Sequence, residues 1–211
     1  NMAEARFVAA VENIAGQLRK RNPASFDGWR LDGIVKLARK DAAGATDSFA
    51  RVEAARQRDP ALALPWLDAL QMAGKPDAAK RLAEETIEKH PQADAVYDAL
   101  YALLVREKRF EEAEAVLRRK LEKRGGEARP HLQLAEFYAR QGREADAEAA
   151  LRTMMAKLKS ALAYGLAAEF YAVRGEFARA EAILQAGMQA GVDRPTLQGK
   201  LAWLRREAGD L

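Results

Sequence analysis

Two carboxylates, Glu136 and Glu169, stand at the same place in nearly identical stretches, Leu-Ala-Glu-Phe-Tyr-Ala and Ala-Ala-Glu-Phe-Tyr-Ala, 33 residues apart. On neighbouring helices about 8–10 Å apart, such a pair could flank a glycosidic bond as acid and base. That chemistry needs burial to raise one of the two pKa values and an enclosure for the substrate. An open groove supplies neither, so the pair reads as part of a solvated recognition face. His90 and His131 are far apart, and neither has a second ligand at helical spacing. His90, before a proline, suits the negative end of a helix. The chain has no cysteine, no Gly-x-Ser-x-Gly turn and no glycine-rich phosphate loop. The expectation is therefore no catalytic residue, no metal and no cofactor.

The elements that would carry these groups come from a repeat. The stretch closing at Gly142 returns at Gly175, and a third copy reaches Gly209 after 34 more residues. A period near 34 predicts stacked helical hairpins, because one such unit has too little apolar surface to close its own core. Tyr97, Leu100, Tyr101 and Leu104 follow helical spacing, and after a turn at Lys108-Arg109 so do Ala113, Val116, Leu117 and Leu121. Gly125-Gly126 is expected to end that helix through a left-handed residue. The same offsets give Leu134, Ala135 and Tyr138, then Ala147, Ala150, Leu151 and Met154; and Ala167, Ala168 and Tyr171, then Ala180, Ile183, Leu184 and Met188. Small residues recur where helices must approach closely.

With these residues the chain resembles the tetratricopeptide repeat family over nearly its whole length. The family signature falls on Tyr164, Ala167, Ala168, Tyr171, Ala180, Leu184, Gly187 and Val192, the last two being departures; in the unit starting at Asp94, Tyr101 and Lys120 replace small residues. The resemblance implies an all-α, right-handed superhelical solenoid of antiparallel helix pairs over residues 1–211. Degenerate units fill 1–93, well-matched ones 94–127, 128–160 and 161–194, and a terminal helix 195–211. It also implies a concave groove presenting Asp98, Ala102, Arg106, Arg129, Leu132, Gln133, Glu136, Arg140, Leu162, Gly165 and Glu169. Mixed charge with small and apolar groups suits an extended peptide or a helix. The carboxylate clamp of the family's chaperone-binding branch is missing, since its places hold Asp98, Ala102, Arg129 and Gln133. The expected function is a non-enzymatic scaffold binding a protein or peptide. The alternatives are a regulatory or substrate-presenting arm of a larger enzyme, and a periplasmic assembly factor of the cytochrome c maturation type, whose repeats Asn22-Pro23 and Gly28-Trp29-Arg30-Leu31 resemble.

In the N-terminal third, Asn22-Pro23, Asp59-Pro60 and His90-Pro91 are each expected to end an amphipathic segment. Phe7 to Arg21 reads as a lone second helix. Trp29, Ile34 and Leu37 fit a first helix, Phe49, Val52 and Ala55 its second, and Pro65-Trp66 the start of a shorter helix stopping at Gly74. The last helix is expected to expose Leu201 and either Trp203 or Leu204, which makes self-association a further reading. Hydrophobic residues at 49% against 31% charged describe a folded chain. The net charge of +4 comes from interleaved signs, and the clusters Arg19-Lys20-Arg21, Arg118-Arg119-Lys120 and Arg205-Arg206 lie near expected helix ends, so nucleic acid is disfavoured. No stretch has the uninterrupted apolar length of a membrane span. A soluble protein of cytoplasm or periplasm is expected. Phe137 and Phe170 are expected to pack inside rather than to anchor a partner.

Overall fold

The computed structural model describes residues 2–53 and 59–209, without the side chains of residues 2, 4 and 53. Ala55 and the final Asp210-Leu211 fall outside the described residues. Among those described there are twelve helices and no strand, so the fold class is an all-α helical-repeat solenoid. The chain forms two compact units, Asn1–Val116 and Leu117–Leu211.

The first unit contains α1 (Met2–Arg21), α2 (Phe26–Ala38), α3 (Ala42–Glu53), α4 (Pro60–Met72), α5 (Pro76–Lys89), α6 (Asp94–Arg106) and the opening of α7 (Phe110–Arg124). From α1 to α6 each helix packs on the next, and the first helices of successive hairpins, α2, α4 and α6, also lie side by side. Phe49, Leu62, Trp66, Leu67, Ile87, Tyr97 and Leu100 fill the core. Between α2 and α3 the core is polar. The Asp32 carboxylate accepts from Ser48 Oγ at 2.6 Å, and pairs with Lys36 Nζ and Arg19 Nη2 at 2.9 Å each. Burial would raise the Asp32 pKa, but the bonds from Ser48 and Lys36 and the charges of Lys36 and Arg19 lower it below the usual carboxylate value. Trp29 is held by its indole N–H donating to the Pro23 carbonyl at 2.8 Å, with the guanidinium groups of Arg19 and Arg51 over its ring.

Two sequence expectations are corrected here. Asp59-Pro60 opens a helix: the Asp59 side chain accepts from the Ala61 N–H, and Pro60 occupies a position whose N–H would have no helical partner. The following helix therefore starts at Pro60, with Pro65 inside it. The carbonyl deprived of a donor by Pro65 belongs to the exposed Ala61, where water can serve it.

The second unit contains the end of α7, then α8 (Ala128–Arg140), α9 (Glu144–Leu158), α10 (Ala161–Ala172), α11 (Phe177–Gln189) and α12 (Arg194–Ala208). First helices α8, α10 and α12 are neighbours in turn. Second helices α9 and α11 meet through a long side-chain pair, Arg179 Nη2 to Glu148 at 3.1 Å. Phe137 and Phe170 are buried, packed against Tyr138 and Tyr171 with ring centroids 5.9 and 5.1 Å apart. Arg143 lies over Tyr138, Arg174 over Phe170 and Arg179 over Tyr171.

The departures from the repeat signature have local reasons. A Cβ on Gly187 would come within 2.8 Å of Tyr164 and Leu197, so this helix tolerates nothing larger than glycine without repacking. Lys120, in an alanine's place, is only 2% exposed and donates to Gln133 Oε1 at 3.0 Å. α7 does end before Gly125-Gly126, but not by a left-handed glycine, since neither has positive φ. Gly125 is needed instead for close approach: a Cβ there would lie 2.7 Å from Lys157 Nζ and 2.8 Å from the Leu121 carbonyl. In α12, Leu204 is buried and Trp203 is the exposed residue.

One backbone feature recurs in both units. Lys40, Gly74, Lys108, Gly142, Gly175 and Gly209 all have positive φ, between 58° and 81°, and each follows the first helix of its repeat. Their spacings are 34, 34, 34, 33 and 34 residues. The period that fades in side chains survives in the backbone.

Candidate functional site

Packing first helix beside first helix leaves one flank of each exposed, and the expected groove residues are on these helices. In the second unit α8 carries Arg129, Glu136 and Arg140, all exposed, and α10 carries Leu162 and Glu169, exposed as well. Glu136 and Glu169 accept no hydrogen bond and form no ion pair through their carboxylates among the described residues. Gln133 and Leu132 are half-buried, Gly165 is buried, and Gln133 is engaged by Lys120. That makes Gln133 a support for the face more than a free contact.

A small cavity of about 40 Å³ opens between α10 and α12, with Gly165, Ala168 and Ala172 as its small-residue lining and Glu169, Lys200 and Trp203 beside them. Trp203 is 48% exposed, and the same face shows Leu162 at 61% and Val173 at 77%. An indole, a carboxylate and an ammonium around the cavity, with two exposed aliphatic side chains elsewhere on the same face of α10, form a surface that an amphipathic ligand can cover.

In the first unit α6 carries Asp98, half-buried, and Ala102 and Arg106, exposed. Arg106 lines a cavity of about 560 Å³ with Leu37, Ala38, Asp68, Gln71 and the exposed Met72. Burial pushes the Asp68 carboxyl above its usual pKa. The sequence reading left Asp68 and Met72 out, and offered Trp203 only as one of two exposed residues of the last helix and not as part of the groove, although the period points to all three. Asp68 and Met72 precede Ala102 and Arg106 by 34 residues, and Trp203 follows Glu169 by 34.

Of the histidines, His90 caps α5. His131 is 2% exposed, with Nε2 3.1 Å from the Gly125 carbonyl. A carbonyl only accepts, so Nε2 carries the proton. Burial lowers the His131 pKa, the Gly125 bond opposes that, and the Lys157 charge adds to it. Among the described residues no three potential ligands gather to hold a metal ion. No described helix is long and apolar enough to cross a membrane.

Residues 104–162 match the family model described as tetratricopeptide repeat. No curated protein matches the chain. Among solved structures, the chain is similar to YrrB, described as a TPR protein with an unusual peptide-binding site, at 14% identity over 74% of this chain and 80% of that one, with a TM-score of 0.52. A chain of the Naa15/Naa10 structure bound to HypK-THB is similar at 16% identity over 99% of this chain and 36% of that one, with a TM-score of 0.55. MamA is similar at 17% identity over 76% and 88%, with a TM-score of 0.48. Identities this low speak to the fold. The family match runs from the end of α6 to the start of α10, so this stretch is similar to tetratricopeptide repeats, and it lies within an all-α solenoid of helical hairpins whose turn residues recur every 33 or 34 residues.

Proposed function

We propose that the chain is a non-enzymatic interaction scaffold that binds a peptide or helix of a partner protein along the exposed face of its first helices. The observation that carries this reading is a division of labour within those helices. Leu134, Ala135, Tyr138, Ala167, Ala168 and Tyr171 are buried and hold the hairpins together. Glu136, Leu162 and Glu169 are exposed on the same helices and serve no packing need. Glu136 and Glu169 lack the enclosure that acid–base chemistry would require. YrrB is described by its peptide-binding site and HypK-THB is bound in the Naa15/Naa10 structure, which makes peptides the first ligands to test.

The test is capture of partner protein from a native extract by the wild-type chain and by two variants shown by circular dichroism to be folded. One carries Glu136→Lys, Glu169→Lys and Arg140→Glu on the first helices; the other carries Arg152→Glu and Gln185→Lys on the second helices. Loss of the captured protein only in the first variant is expected. Loss only in the second would move recognition to the opposite face and defeat the proposal.

A further inference from the structure

We infer that the first-helix face of the second unit selects a basic segment of its partner, with two cationic side chains about three residues apart and an apolar one about three residues beyond. This rests on the reading that the face binds protein, and adds the chemistry of the ligand.

Glu136, Glu169 and Trp203 occupy one repeat position on the consecutive neighbours α8, α10 and α12. A chain crossing the three helices therefore meets carboxylate, carboxylate and indole in order. Neighbouring helices sit about 8–10 Å apart and an extended chain advances about 3.3 Å per residue, so contacts recur about every third residue.

Among the described residues Glu136 and Glu169 lack cations, as do the exposed Glu122 and Glu144, but they alone of these four share one repeat position on neighbouring first helices. Elsewhere in the unit Glu127 is paired by Arg124, Asp146 by Arg143, Glu148 and Glu176 by Arg179, and Glu181 by Arg205. Glu136 and Glu169 have no such partner, although both are exposed. A ligand cation is the missing complement, and a guanidinium or ammonium at Glu169 would also lie near the Trp203 ring that borders the same cavity.

The third contact differs. At Trp203 there is no carboxylate in the repeat position, and Gly165, Ala168 and Ala172 leave room for the end of an aliphatic side chain. Exposed Leu162 and Val173 extend the apolar surface beside it.

The experiment uses dye-labelled synthetic peptides with the pattern Lys-x-x-Lys-x-x-Leu, in both chain directions, and counterparts with both lysines replaced by Gln or by Glu. Binding is read by fluorescence anisotropy at low and high salt. For the wild-type chain the lysine peptide is expected to bind about tenfold more tightly than the glutamine one, with the margin shrinking in salt. Glu136→Gln with Glu169→Gln should erase the margin. Glu136→Lys with Glu169→Lys should transfer the preference to the glutamate peptide. Trp203→Ala should weaken every leucine-bearing peptide alike. Glutamine or glutamate peptides that bind the wild type as well as the lysine peptide, and still respond to Trp203→Ala, would overturn the charge inference and leave the binding face in place. Binding unaffected by any of these variants would overturn both. No binding of the lysine peptide, with partner capture still dependent on the face, would overturn the charge inference alone.

Discussion

The second unit reaches its hairpins by small residues and aromatic pairs, and the first adds polar networks to its apolar core, yet both arrive at the same backbone. Between α8 and α11, Phe137, Tyr138, Phe170 and Tyr171 supply buried aromatic bulk, and glycines take the left-handed turn positions. Between α1 and α3, Asp32, Ser48, Lys36 and Arg19 replace part of that bulk with a hydrogen-bonded network. Along α5 to α7, Glu112 joins Lys80 and Arg109, which also reaches Asp77. Lysines take two of the left-handed positions. The repeat is thus a requirement on backbone and volume, which several kinds of side chain can meet.

The largest expected effect breaks the aromatic side of this comparison. Phe170→Ala should cost about 3–5 kcal/mol, by lost burial and the cavity left behind. Asp32→Ala should cost less, about 2 kcal/mol, because its cationic partners Arg19 and Lys36 keep partial access to water. Urea unfolding of the two variants gives the ranking, and the reverse order would show the polar network to be the stronger brace.

A smaller effect exchanges the turn residues. Lysine in a left-handed conformation is strained, so Lys40→Gly and Lys108→Gly should each add about 0.5–1 kcal/mol. Gly142→Lys and Gly175→Lys should each lose about 1 kcal/mol. Thermal melts of the four variants test this, and equal responses of both signs of exchange would mean that φ at these turns does not limit stability.

The smallest effect separates the units by acid. His131 is held below its ordinary pKa of 6.5 chiefly by burial, so its contribution is complete above that pH and is lost as pH falls through the folded value. Glu112 is lowered from 4.5 to about 2, first by hydrogen bonding to Arg109 and then to Lys80. Its contribution is complete above 4.5 and is lost between there and about 2. Amide protection factors, taken relative to intrinsic exchange at each pH, should therefore fall around α8 as the pH drops below 6.5 while α7's first turn stays protected, and the latter should loosen only below 4.5. Simultaneous loosening would remove the distinction.

How much of this could be read in advance follows from the same contrast. The hairpins from Asp94 onward were legible because Ala135, Tyr138, Ala168 and Tyr171 keep their order and their spacing. Lys40 and Lys108 were not legible as turn markers, because lysine seldom adopts positive φ and nothing local announces it. The Asp32 network joins residues on three helices, and its members become partners only after those helices pack. The exposed face was half legible: Glu136, Glu169 and Arg106 followed from the period, while Asp68, Met72 and Trp203 needed the same period to be extended one step further. Asp59-Pro60 misled because proline is compatible with the beginning of a helix as well as the end of one.

The 33-residue interval between Gly142 and Gly175 is a residue short, and the place of the deletion matters. α7 and α9 are both 15 residues long, but three residues join α7 to α8 and two join α9 to α10, the latter through Lys159 with φ of 44°. Between these two repeats the missing residue thus falls in the connector, and the distance from the start of the first helix to its turn glycine, Ala128 to Gly142 and Ala161 to Gly175, is unchanged. Insertions or deletions in these connectors leave the order of the outward-facing side chains intact, so such a chain can gain, lose or exchange whole hairpins during evolution while the remaining ones go on addressing the same partner.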